Sequence, residues 1–86
     1  MNKRRLLDKI KNSGKNIRYG DFVTLVEAFD FRRIRGEGSH NIYERIDVPE
    51  MINIQNEEGK AKPYQVKQFL SLIIKYNLEL EDSHNE

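Results

Sequence analysis

The stretch Gly36-Glu37-Gly38-Ser39-His40-Asn41-Ile42-Tyr43 constrains the fold more than any other part of the chain. Glycine reaches backbone angles that a Cβ forbids. Gly36 and Gly38 can therefore turn the chain sharply, and the β-branched and aromatic pair Ile42-Tyr43 then favours a strand. A turn that opens into a strand needs strands beside it. Phe31 to Arg35 supplies one before the turn. Its apolar residues, Phe31 and Ile34, are three apart, so strict alternation fails and a bulge or bend at Arg32-Arg33 is expected. The strand after the turn spans Ser39 to Ile46. Asp47-Val48-Pro49-Glu50 reads as a turn, because proline cannot continue a central strand. Met51 to Asn56 is a further strand, with Ile52 and Ile54 on one side and Asn53 and Gln55 on the other. Strands of this length joined by short loops predict an antiparallel three-stranded meander.

Helical periodicity flanks this sheet. Leu6, Leu7 and Ile10 make one apolar stripe on a basic helix over residues 3–12, closed by the polar break Asn12 to Asn16 with Gly14 as its stop. That helix either packs as an arm on the rest or offers its basic face to phosphates. Phe22, Leu25, Val26 and Phe29 follow the i, i+3, i+4, i+7 spacing of a second helix from about Arg18 to Phe29, with Asn16 or Asp21 as its cap and Asp30 as its end. Asn56 to Pro63 is a polar loop. Pro63 suits the first turn of a last helix, where its missing N–H costs nothing. Val66, Phe69, Leu70 and Ile73 form the stripe of that helix, which Asn77 terminates. Leu72, Ile74 and Tyr76 widen the stripe, so the helix is either buried on more than one side or covered by a partner. Leu78 and Leu80 extend the apolar run, and residues 81–86 form an acidic tail that holds the second histidine, His84.

The expected architecture is α+β, one domain over residues 1–86. Helices cover one face of the sheet, and the other face or its edge is free for a ligand. A chain this short buries a two-layer core and no deep active-site cavity. It has no cysteine, which excludes disulfides, thiolate zinc sites and cysteine nucleophiles. No apolar run reaches the roughly 20 residues of a membrane span. The basic N-terminus lacks the apolar core of a signal peptide, so the expected setting is soluble and cytoplasmic. The net charge of +1 hides an asymmetry: residues 1–36 carry ten Lys/Arg against four Asp/Glu, and residues 37–86 carry five against ten. The basic half would attract a polyanion, or is simply a solvated surface.

His40 is the residue with chemistry to offer. Alternation puts His40, Ile42 and Glu44 on one face of their strand and Ser39, Asn41 and Tyr43 on the other. Each set holds an apolar residue, which leaves open which face is buried. Ser39 and His40 point to opposite faces and are not a nucleophile–base pair. No Asp, Glu or His spacing resembles a metal box, so neither a metal nor another cofactor is expected. A lone imidazole among cations suits RNA cleavage. The RNA 2′-hydroxyl is an internal nucleophile, and the protein need supply only proton transfer and charge stabilisation. The plainer alternative is a histidine that hydrogen-bonds a turn.

The ordered set of features over roughly residues 20–77 resembles the HicA toxin family, the RNA-cleaving half of HicA–HicB toxin–antitoxin pairs. The features are a helix closing on Phe29-Asp30-Phe31, the basic strand Arg32-Arg33-Ile34-Arg35 and the Gly38-Ser39-His40 signature with Ile42-Tyr43 behind it. A third apolar strand follows, and Lys62-Pro63 opens the last helix. The resemblance implies a fold similar to the double-stranded-RNA-binding domain. Its α-β-β-β-α core would occupy residues 18–77, with residues 1–16 as an additional N-terminal helical extension. It also implies metal-independent cleavage of mRNA with His40 as general acid/base, and inhibition by a HicB-like antitoxin. Gly38 and Ser39 would position the histidine. Arg32, Arg33, Arg35 and Lys62 would hold the RNA backbone, recognised by shape and phosphates more than by sequence. Two positions depart from the pattern: Asn41 stands where many members carry a second histidine, and Gln55-Asn56-Glu57 replaces a Pro-Arg-His type ending. Glu37 puts a carboxylate near His40, where it would either orient the imidazole and favour its charged form or repel phosphate. Two other classes remain. One is a non-catalytic RNA-binding or antitoxin-binding module. The other is a protein-interaction domain with an apolar patch exposed on residues 69–76.

Overall fold

The computed structural model describes residues 2–80, and the acidic tail 81–86 lies outside them. The described residues form three helices and four strands: α1 (Lys3–Ser13), α2 (Tyr19–Ala28), β1 (Arg32–Glu37), β2 (His40–Arg45), β3 (Val48–Glu57), β4 (Lys60–Ala61) and α3 (Pro63–Lys75). The strands lie in the order β1-β2-β3-β4, each antiparallel to its neighbour. The α+β class agrees with the sequence reading. The strand count does not: the sheet has four strands, not three.

The extra strand comes from turn chemistry inside the polar loop. Glu58 (φ 52°) and Gly59 (φ 87°) both take left-handed angles, the pattern of a two-residue hairpin turn that matches strand twist. Asn56 Oδ1 accepts the Gly59 N–H at 2.7 Å and fixes that turn. Lys60 and Ala61 then pair back onto Glu57 and Asn56. A strand of two residues has no periodicity to betray it.

The turn before β3 is also displaced. It is Ile46-Asp47, and β3 begins at Val48, so the segment 47–50 is mostly strand. Proline is tolerated there because the register slips: Tyr43 faces Ile52 while Arg45 faces Val48, which leaves Pro49 in the bulged stretch. The irregularity expected at Arg32-Arg33 lies one residue on, between Arg33 and Arg35, with Ile34 as the inserted residue.

The helices cover one face of the sheet. Phe69 of α3 stands at the centre, and Phe22, Phe29 and Phe31 meet its ring edge-on at 5.6–5.7 Å. Such contacts add to what area burial alone provides. Leu6 and Ile10 of α1, Leu25 and Val26 of α2, and Tyr43, Ile52 and Ile54 of the sheet complete the core. Leu78 and Leu80 are buried beyond α3. Between 69 and 76 the only strongly exposed apolar side chain is Ile74, so the broad stripe of α3 is spent on the core. No helix among the described residues is long and apolar enough to cross a membrane.

The helix ends follow local chemistry. Asn2 caps α1 by accepting from Arg4 and Arg5 N–H at 2.8 and 3.1 Å, and Gly14 closes it at φ 71°. Neither Asn16 nor Asp21 caps α2. Arg18 occupies that position, and the Tyr19 N–H donates instead to the Gly59 carbonyl at 2.9 Å. The β3–β4 hairpin thus satisfies a helix donor and ties α2 to the sheet. Asp30 and Asn77 end α2 and α3 with left-handed angles of 67° and 51°.

Candidate active site on the bare sheet face

His40 is the first residue of β2, and the hairpin register sets it between Glu37 on β1 and Gln55 on β3. The turn that delivers it is Gly38-Ser39. Only Gly38 of the pair takes a positive φ (60°), as in hairpin turns that start on glycine. The Ser39 carbonyl accepts the Asn56 N–H at 2.9 Å, which anchors the turn to β3.

Tyr43 is buried, which settles the faces of β2. Tyr43 and Asn41 look toward the helices, and His40, Ile42 and Glu44 look outward. Strand partners share a face, so Glu37 and Arg35 of β1 stand on the outward side with His40 and Ile42. These four residues and Gly36 line an open depression of about 480 Å3. His40 is exposed within it. The depression therefore gathers an imidazole, a guanidinium and a carboxylate beside an apolar residue. No group of three or more His, Asp or Glu able to hold a metal gathers among the described residues.

Of the expected RNA-binding cations, only Arg35 joins His40. Arg32 lies at the far end of β1, where it pairs with Asp30 at 2.7 Å and reaches the Phe31 carbonyl. Arg33 is on the other face, its Nε donating to Asn41 Oδ1 at 2.7 Å. Lys62 precedes α3 and faces Glu57 at 3.8 Å, outside the depression.

The structure adds a polar network behind the site. Asn41 Oδ1 accepts from Arg33, and Asn41 Nδ2 donates to Tyr19 Oη at 2.6 Å. Gly36 leaves room for it: a Cβ there would run into Asn41 Oδ1 and the Arg33 guanidinium. Beside the network, burial pushes the Tyr43 phenol above its ordinary value. The nearby Glu27 carboxylate adds to the rise, and Arg33 opposes it. Gly36 thus acts by absence of a side chain and Gly38 by backbone angle, two different reasons for glycine within three residues. The strand alternation of Asn41 with Tyr43 pointed to a shared face. Its partner Tyr19, 22 residues earlier, could not be read from spacing.

No protein-family model matches the chain, and no curated protein or solved structure matches it either.

Proposed function

We propose that the chain is a ribonuclease toxin of the HicA kind, one that cleaves mRNA in the cytoplasm without a metal and is restrained by a HicB-like antitoxin. The observation that carries this reading is the exposed His40, set in an open depression with Arg35 on the sheet face that the helices leave bare. An extended polyanion can reach such a site where a deep cavity would exclude it. The run from α2 through β1, β2 and β3 to α3 supports the likeness to the double-stranded-RNA-binding domain, with α1 as the N-terminal extension and β4 as an addition.

The chemistry needs little from the protein. His40 accepts the proton of an RNA 2′-hydroxyl as its oxygen attacks the adjacent phosphorus. The bond from phosphorus to the 5′-oxygen breaks, that oxygen takes a proton from water, and the proton held by His40 returns to solvent. The products are a 2′,3′-cyclic phosphate and a 5′-hydroxyl. Arg35 offsets the charge that builds on the phosphoryl oxygens.

A second reading, a binding module that keeps the fold without catalysis, is favoured by one observation. Asn41, at the place where many HicA toxins carry another histidine, is engaged with Arg33 and Tyr19 and faces away from the depression. Cleavage of a generic mRNA in EDTA separates the two, with wild type set against His40→Ala and both verified as folded. Loss of roughly 10²–10⁴ in rate in the variant is the expected result. Equal rates would remove His40 from the mechanism, and no cleavage by either would favour the binding module.

A further inference from the structure

We infer that the groove between α1 and α3 is a second RNA-binding surface, holding a single-stranded flank of the substrate with a base stacked on Tyr64 and phosphates at Lys11, Lys15 and Lys67. This builds on the ribonuclease reading and gives the substrate's flank a place.

The groove has a volume of about 580 Å3, and no carboxylate lines it. Lys11, Lys15 and Lys67 are exposed on its rim, and none forms an ion pair with a described residue. Cations elsewhere are ion-paired, Lys9 with Asp21, Arg32 with Asp30, Arg45 with Asp47, Lys62 with Glu57 and Lys75 with Glu50. The groove is set apart by gathering three lysines without such a pair on one rim that holds no carboxylate. A cluster of three unmatched lysines around one groove attracts an anion.

Tyr64 fits that anion to a nucleic acid. It lies in the first turn of α3 and is 63% exposed, so the core does not need it. Its hydroxyl accepts from Gln65 Nε2 at 3.3 Å, which steadies the ring. Val66 beside it is buried and Leu70 half-buried, so Tyr64 and Pro63 offer most of the apolar surface a ligand would touch. A flat ring flanked by separated cations suits a base and its phosphates better than a row of peptide side chains.

The groove also leads toward the end of β3 that pairs with His40. A second depression shares Lys15 and Pro63 with it and continues past Asn16 and Lys60 to the β3–β4 hairpin. Of the two carboxylates bordering that path, Glu57 is matched by Lys62 at 3.8 Å, and Glu58 stands in the hairpin turn with φ 52°. The strand leading into the hairpin is bonded to the β1–β2 turn through the Asn56 N–H and the Ser39 carbonyl, and His40 follows that turn.

The test is fluorescence anisotropy of a labelled oligouridylate of roughly a dozen nucleotides. The full chain carries His40→Ala so that no cleavage intervenes. Onto this are placed Tyr64→Ala, Tyr64→Phe, or Lys11→Gln, Lys15→Gln and Lys67→Gln together, each verified as folded by circular dichroism. Tyr64→Ala is expected to weaken binding about tenfold while Tyr64→Phe stays near the parent. The triple variant is expected to reduce the slope of log affinity against log salt by about two. Binding of a blunt RNA duplex should not respond to Tyr64→Ala. Salt-dependent binding of the oligouridylate that ignores all these variants would overturn the groove and leave the ribonuclease reading standing. Absence of any RNA binding by the parent would overturn both. A glutamate-rich peptide whose binding falls with these variants, when RNA binding does not, would overturn the proposal in favour of a protein partner.

Discussion

The side-chain Oε1 of Gln65 accepts the backbone N–H of Gln55 at 2.8 Å, so a helix residue closes the outer edge of β3 where β4 does not reach. Gln65 is 1% exposed and is the one buried polar side chain among the described residues. Its carbonyl oxygen does the work of a missing strand residue. Gln65→Leu keeps the bulk and removes the acceptor, leaving a half-buried N–H unpaired. The expected cost is about 1–3 kcal/mol in urea unfolding, with faster amide exchange at Gln55.

Gly36 and Gly38 should both resist small side chains, for different reasons. At Gly38 nothing lies within 4 Å of an added Cβ, but the φ of 60° is strained for any L-residue. Gly38→Ala is expected to cost about 1–2 kcal/mol, and Gly38→Asn less, since asparagine tolerates that region. At Gly36 the angle is ordinary and the space is taken. Gly36→Ala should break the Arg33–Asn41 hydrogen bond, because the Arg33 guanidinium is the more movable neighbour. Its cost, about 0.5–1.5 kcal/mol, should shrink in an Arg33→Ala background without vanishing, because the added Cβ still meets Asn41 Oδ1. A double-mutant cycle in urea measures both.

These two glycines also mark where the sequence was readable. Their turn, the strand behind it and the Phe22, Leu25, Val26, Phe29 stripe followed from local angle and period, and each is present. The β4 strand escaped because it is made by the Glu58-Gly59 turn, not by its own residues. The start of β3 escaped because Pro49 normally ends a strand, and only the register slip against β2 accommodates it. Within the site, His40 stood out by residue type. The separation of Arg35 from Arg33 did not, because one inserted residue, Ile34, puts Arg35 on the histidine's face; Arg32 shares that face but lies at the far end of β1. The Asn41–Tyr19 bond joins two elements distant in sequence, and no local pattern carries it.

Glu50 gives the fold a dependence on acid. Its carboxyl is held below the ordinary value of 4.5 first by the hydrogen bond from Lys75 Nζ at 2.8 Å, then by that from Tyr76 Oη at 2.6 Å. A group lowered in the folded state contributes stability above its unfolded value and loses it as pH falls through the folded one. The clasp of α3 onto β3 should therefore weaken below about pH 4.5. The same clasp raises Tyr76 above 10.0 and Lys75 above 10.5, chiefly through Glu50, so their contributions are present below those values and lost as pH rises through the folded ones. Urea midpoints across pH should thus show a shallower acid limb in Glu50→Gln than in wild type. The alkaline limb should persist in part, because Tyr43 is raised mainly by burial.

Arg35 and Arg32 provide a matched pair for testing the proposed cleavage. Both are exposed arginines of β1, and the resemblance implies the same role for both. Arg35 faces Ile42 and lines the depression with His40, while Arg32 faces Glu44 and pairs with Asp30. Five residues of strand separate Arg32 from Glu37, the partner of His40, or about 17 Å at the usual rise. A guanidinium at that distance, held by a carboxylate and screened by salt, does little for charge developing at the histidine. Arg35→Gln is therefore expected to lower the single-turnover cleavage rate by about 10². Arg32→Gln should leave that rate within about twofold, and weaken RNA binding only through the general loss of one positive charge. Equal loss in the two variants would mean that β1 acts as an undifferentiated cationic strip, and that the depression around His40 is not where the phosphate reacts.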